Sequence, residues 1–258
     1  MKIFDTHAHY DDNAFNEDRD TILSSMEVNQ ITRIVNVGAS MKSSRTTIDL
    51  TEKYPFLYGA IGVHPEETAE LTEQDMEWLQ EKSKLEKIVA IGEIGLDYYW
   101  DSIPRDMQKK WFLRQLELAQ EVDLPVIIHS REAAKDTIDI LQESNQIKQL
   151  KGIIHCYSYS KESAKDYLDL GFYFGIGGVV TFKNAKKVKE AVEYIPLERI
   201  VLETDCPYLA PVPNRGDRNS SLNLPYVIQE IAKIKGIEPE AVAEQTYNNA
   251  NAVYELTE

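Results

Sequence analysis

Short apolar runs alternate with amphipathic stretches along almost the whole chain. The runs are KIFDTH (2–7), ITRIVNVG (31–38), FLYGAIGV (56–63), KIVAIGEIGL (87–96), LPVIIHS (124–130), LKGIIHCY (150–157), FYFGIGG (172–178) and ERIVLETD (198–205). They are rich in Ile and Val and do not alternate strictly, the pattern of strands covered on both faces. Between them, apolar positions fall at helical spacing. Phe112, Leu116 and Ala119 recur at i, i+4 and i+7 in a stretch from Pro104 to Val122, where Pro104 suits a first helical turn. Ser130 is expected to cap a helix over Arg131–Glu143, and Gly171 to stop the helix that contains Tyr167 and Leu170. Eight βα units predict a (β/α)8 TIM barrel, an α/β fold forming a single domain over residues 1–258. Helical signals continue past the eighth run and leave one or two extra C-terminal helices to close the barrel bottom. A doubly wound sheet is the competing architecture, but GIGG (175–178) lacks the rest of a phosphate-binding Gly-rich turn.

Composition narrows the setting. The chain has 258 residues, 43% of them hydrophobic and 28% charged, enough apolar material for a full core. No apolar run approaches the ~20 residues that cross a bilayer. Nothing before Ile3 resembles a secretory leader, and Cys156 and Cys206 are too few for a disulfide framework, so a reducing cytoplasm is expected. The net charge of −15 weighs against a protein that coats long nucleic acid, which usually carries a basic stripe. Attraction for phosphate would arise locally, from bound cations.

All five histidines close one of the apolar runs: His7 and His9, His64, His129, and His155. Two further runs carry carboxylates there, Glu93 and Asp205. In a barrel, the C-terminal ends of the strands share one mouth, open to solvent and substrate. His7 and His9, one residue apart on an extended strand, point to the same side and can grip one ion. His129 and His155 end neighbouring strands and can share a second. Glu93 lies in a run too apolar to hide an unpaired carboxylate, and from the fourth strand it can lend one oxygen to each ion. Asp205 ends the eighth run, beside the first on closure, where it can ligate the first metal and accept a proton from a bound water. Glu203 is expected deeper, positioning a ligand. Cys156 and Cys206 should point away by alternation. Two divalent cations are therefore expected, and imidazole with carboxylate suits Zn, Mn, Ni, Co or Fe, with Mg admissible when phosphate completes its shell.

These residues resemble the TatD family of metal-dependent deoxyribonucleases, among the amidohydrolase-like TIM barrels. The matching motifs are DTHAH (5–9), GVHP (62–65), GEIGLD (92–97), IIHSRE (127–132), HCYS (155–158), ETDCPYLAP (203–211) and RGDRN (215–219), in family order. The resemblance implies a binuclear site: His7, His9, Glu93 and Asp205 on one metal, and Glu93, His129 and His155 on the other. It implies that His64 helps to hold the scissile phosphate. It also implies a 3′–5′ exonuclease acting on DNA ends or another phosphodiester, with a metal-bridging hydroxide as nucleophile. Catalysis would then rest on Asp205, Glu93 and His64, with Arg215 and Arg218 clamping a flanking phosphate. Tyr98, Tyr99 and Trp100 follow Asp97 at the same mouth and are either a base-stacking run or loop packing. The chain departs from the family at Asp217, where a base is usual, at the added Ser220-Ser221-Leu222, and in HCYSYS, which lacks a glycine. Two alternatives stay open. One is a metal-dependent hydrolase of a small ester, lactone or amide, since the same nucleophile does not choose phosphorus over carbon. The other is a metal-binding scaffold without catalysis. No membrane partner is expected, and a monomer is compatible with the sequence.

Overall fold

The computed structural model describes residues 2–100 and 102–257. Eight parallel strands pair in chain order, β1 to β8, in one sheet. They are β1 Ile3–Ala8, β2 Ile31–Val37, β3 Leu57–Ile61, β4 Ile88–Asp97, β5 Val126–Arg131, β6 Gly152–Ile154, β7 Tyr173–Ile176 and β8 Ile200–Leu202. Sequential order excludes a doubly wound sheet, whose strand order reverses partway. The sheet curls until its edges meet: the N–H of Asp205 donates to the His7 carbonyl at 2.9 Å, and Ala8 and Cys206 form a parallel bridge. The result is a nearly closed TIM barrel, as the alternation predicts.

The helices are α1 Arg19–Ser24, α2 Met41–Lys53, α3 Glu73–Lys82, α4 Arg105–Val122, α5 Ala134–Asn145, α6 Lys161–Asp169, α7 Lys186–Tyr194, α8 Leu224–Lys235 and α9 Pro239–Val253. Pro104 stands just outside α4 as its N-cap, which leaves every helical N–H of that turn on a residue that has one. Gly171 follows the α6 cap at φ +87°, a conformation open to glycine. The expected start of α5 is wrong. Strand β5 runs on through Arg131, and the Ser130 hydroxyl pairs with Thr137 and Tyr159, so it caps nothing. Pairing with Asp97 holds Arg131 in the ladder and delays the helix by three residues.

Two apolar layers explain why the strands do not alternate. Ile3, Ile34, Leu57, Ile91 and Ile128 pack outward against the helices. Phe4, Val35, Val89, Ile127, Ile153 and Val201 gather inside the barrel, joined by Tyr247, Ala250, Val253 and Tyr254 of and after α9. The extra C-terminal helix therefore closes the bottom, and the Tyr254 hydroxyl donates to the Thr6 carbonyl at 2.8 Å. With the interior filled below, the open end is the C-terminal mouth.

Candidate metal centre

β1 is irregular between Asp5 and Ala8; His7 near its end and His9 just past it both reach the mouth. His7 Nε2 and His9 Nε2 stand 3.0 Å apart. Glu93, on β4, faces two groups at once. Its Oε1 is 2.8 Å from His129 Nδ1, 3.8 Å from His155 Nε2 and 3.9 Å from His64 Nε2. Its Oε2 is 3.6 Å from His7 Nε2 and 3.8 Å from His9 Nε2. Asp205 Oδ1 lies 3.4 Å from His9 Nε2, 3.8 Å from His7 Nε2 and 3.7 Å from His155 Nε2. The six expected ligands thus meet at one place. Five of them, with His64, line a cavity of about 440 Å³, and His7 lies buried behind its wall.

The outer nitrogens decide what the inner ones can do. His9 Nδ1 donates to the Val37 carbonyl at 2.8 Å. His155 Nδ1 faces Glu203 Oε2 at 3.2 Å, and His129 Nε2 faces Asp97 Oδ2 at 2.9 Å. Each acceptor holds a proton on the outer nitrogen, so the inner one is the nitrogen that gives up its proton and offers a lone pair when a metal binds. Inward lone pairs converging on two carboxylates form a donor set that a divalent cation fits. The residues present therefore suit the implied metals.

The electrostatics agree. Burial alone would depress His9, yet its hydrogen bond to Asp205 and the charge there lift it to about 9. His129 rises likewise to about 9, burial being outweighed by Asp97 and Glu93. His155 reaches about 10 against burial, chiefly through the charges of Glu203 and Glu93. For Glu93, burial opposes ionisation, but His155 and the surrounding imidazoles hold it well below the carboxylate range. Asp205 is lowered in the same way, burial being overcome by His155 and His9. The centre attracts positive charge, for which protons and metal ions compete. His64 differs: burial, with His129 beside it, drops it to about 3, so it is neutral.

Supporting groups complete the site. Glu203 is fully buried, and besides His155 it accepts from the Cys156 N–H at 2.6 Å. It lies deep, against His155, where the sequence placed it. Gly175 makes room for it, since a Cβ there would sit 1.9 Å from Glu203 Oε2. The carboxylate–imidazole contact of Asp97 was not anticipated, although Asp97 closes the GEIGLD motif. Asp5 was also missed. It is a buried residue of β1 and accepts from Thr204 Oγ1 (2.7 Å) and Ser221 Oγ (2.6 Å), with burial pushing it up to about 7. Its only sequence signal is a carboxylate two residues before His7.

One expectation needs correction. Cys156 does not point away: at φ +45° the chain has left the strand, and its Sγ falls within 4.8 Å of ligand atoms of His155 and Asp205. Cys206 does follow the expectation: it is buried in the apolar core, off the cavity wall. Neither Arg215 nor Arg218 lines the cavity. Arg218 is held by Asp18, with Nη1 at 2.8 Å from Oδ1, and lies over Phe15, while Arg215 lies 4.3 Å from the centroid of Phe182. Tyr98 is loop packing, its hydroxyl donating to Asp136 at 2.7 Å.

The sequence pattern of the family described as TatD related DNase matches residues 4–255. The chain belongs to that family. Its similarity extends over whole lengths. The metal-dependent hydrolase YabD of Bacillus subtilis is 42% identical over 254 residues, covering 98% of this chain and 99% of YabD. The metal-dependent hydrolase YcfH of Escherichia coli K12 is 33% identical over 259 residues, 99% of this chain and 97% of YcfH. The solved structure of YJJV, a TatD homologue from Escherichia coli K12, superposes with a TM-score of 0.92 at 27% identity, covering 99% of this chain and 98% of that one. Among the described residues, no helix of this TatD-family chain is long and apolar enough to cross a membrane.

Proposed function

We propose that this TatD-family metal-dependent hydrolase cleaves phosphodiester bonds, removing nucleotides from the 3′ ends of single-stranded DNA. The observation that carries the reading is Glu93, which turns one oxygen to His7 and His9 and the other to His129 and His155. His7, His9, Glu93 and Asp205 would hold one cation, and Glu93, His129 and His155 the other. Bound there, divalent cations lower the pKa of a water molecule toward ~7 and neutralise charge on phosphoryl oxygens.

The chain's own groups do the rest. Asp205 is ionised and faces the cavity from a left-handed turn at φ +56°, placed to take the proton of the attacking water. His64 Nδ1 accepts from the Glu66 N–H at 3.3 Å, so the proton of its neutral ring sits on Nε2, which faces Glu93. From there it donates to a phosphoryl oxygen, as the phosphate gains charge in the transition state. The Asp97–His129 and Glu203–His155 contacts keep the imidazoles from turning.

With Mg²⁺ or Mn²⁺, a 5′-labelled single strand should shorten progressively from its 3′ end. Asp205→Asn should slow this by about 10²–10⁴-fold, the usual worth of a general base. Undiminished shortening in that variant would remove Asp205 from the mechanism. A second reading, hydrolysis of a small ester or lactone, is favoured by Asp11, Asp12, Glu66 and Glu67, which line the cavity and repel a long polyanion. Turnover of lactones with no shortening of DNA would decide for it.

A further inference from the structure

β4 ends at Asp97, and the next turn carries two exposed rings. Asp97 Oδ1 accepts from the N–H of Tyr99 at 2.9 Å and of Trp100 at 3.3 Å, while Oδ2 faces His129. One carboxylate therefore holds both the turn and a metal-facing imidazole. Tyr99 and Trp100 are each 50% exposed, with ring centroids 4.8 Å apart and planes at 88°. Arg131 stands two residues beyond His129 on β5. Ser130 between them turns its hydroxyl to Thr137 of α5, which leaves His129 and Arg131 on the side of the mouth. The Arg131 guanidinium sits 3.8 Å from the Tyr99 ring centroid and 5.8 Å from that of Trp100.

Tyr99, Trp100 and Arg131 stand outside the cavity, and its wall is unlike this edge. Asp11, Asp12, Glu66 and Glu67 line the cavity. A chain of phosphates leaving the centre is repelled along those carboxylates and drawn toward Arg131. Two half-exposed rings beside a cation match what an unpaired nucleotide presents: a flat base and a phosphate.

We propose that Trp100, Tyr99 and Arg131 form a subsite for one unpaired nucleotide of the substrate strand. The base stacks on the Trp100 indole, and Arg131 takes a neighbouring phosphate. Tyr99 is a positioning residue that orients Arg131 through its ring face. A base still paired in a duplex has no free face to offer, so the subsite selects single strands and frayed ends. This deepens the nuclease reading and rests on it for the identity of the substrate.

Binding to the Asp205→Asn protein tests the subsite without cleavage. The chain has three tryptophans; Trp111 is buried and Trp78 lies under Arg45, so Trp100 reports contact with solvent-borne ligands. Oligothymidylate should quench the fluorescence and bind about 5- to 150-fold more tightly than an abasic oligomer of equal length, the range for one base stack. By anisotropy of a labelled strand, Trp100→Ala should bring oligothymidylate down to the abasic affinity, and Trp100→Phe should restore most of the gap. Arg131→Ala should reduce the salt slope of binding by about 0.7, one single-strand phosphate contact. Equal affinity for the two oligomers, or a thymidine preference that survives Trp100→Ala, overturns the subsite. A thymidine preference in a protein that shortens no DNA would sink the nuclease reading and leave the subsite. Shortening without that preference would do the reverse.

Discussion

At the N-terminal end of the strands, Phe4, Val89 and Val201 meet Tyr247 and Tyr254 in an apolar plug. At the C-terminal end, β1, β4 and β5 carry His7, Glu93 and His129, with His155 just past β6 and Asp205 just past β8. A few residues along each strand separate the two. The plug gains stability from every side chain it buries. The mouth gives stability up: it packs carboxylates and imidazoles out of water and turns Cys156 and Asp205 into left-handed backbone. The contrast teaches that the barrel separates its tasks by height. The bottom holds the strands in register, so the top can keep groups together that would otherwise stay apart.

Substitutions at the two ends should therefore separate stability from chemistry. The largest expected effect lies at the bottom. Phe4 is buried against the rings of Tyr247 and Tyr254. Phe4→Ala should cost about 3–5 kcal/mol in urea unfolding, while the folded fraction keeps its metal affinity. Loss of metal binding in folded Phe4→Ala protein would join the two ends energetically. A smaller effect, of opposite kind, belongs to Asp97. Asp97→Asn keeps the shape but offers His129 Nε2 a poorer acceptor, so metal affinity should fall by about 10–100-fold with little change in the urea midpoint. Unchanged affinity would mean that Asp97 serves only its turn.

The smallest signal is in protons. Without metal, His9 and His129 titrate at about 9 and His155 at about 10, so at pH 7 all three carry protons. Ligation removes those protons, so loading should acidify a weakly buffered solution. Affinity should rise with pH up to that range and level off above it. Calorimetry in buffers of different ionisation heat counts the protons; none released at pH 7 would contradict the raised values.

How far the chain could be read from its letters follows the same division. The eight runs stood out because both faces of each strand are apolar, and that needs no knowledge of partners. The six candidate ligands stood out because buried histidines and carboxylates at strand ends have few other uses. What failed depended on local backbone or on distant neighbours. Ser130 has the chemistry of a cap, but the pairing of Arg131 with Asp97 extends the strand past it. Cys156 obeys alternation only if the strand continues, and β6 ends at Ile154. Arg218 meets Asp18, 200 positions away in sequence, and no motif announces that pairing. Asp97 and Arg131 sat inside recognised motifs, yet their contacts with His129 and Tyr99 appear only when β4 and β5 lie side by side.

The account depends on cations gathered by Glu93, and metal content tests it most directly. After dialysis against Mn²⁺ and removal of loose ions, elemental analysis should find two ions per wild-type chain. In folded Glu93→Gln protein it should find at most one. Two ions retained in Glu93→Gln, or less than one in the wild type, would contradict a pair of metals held across that carboxylate.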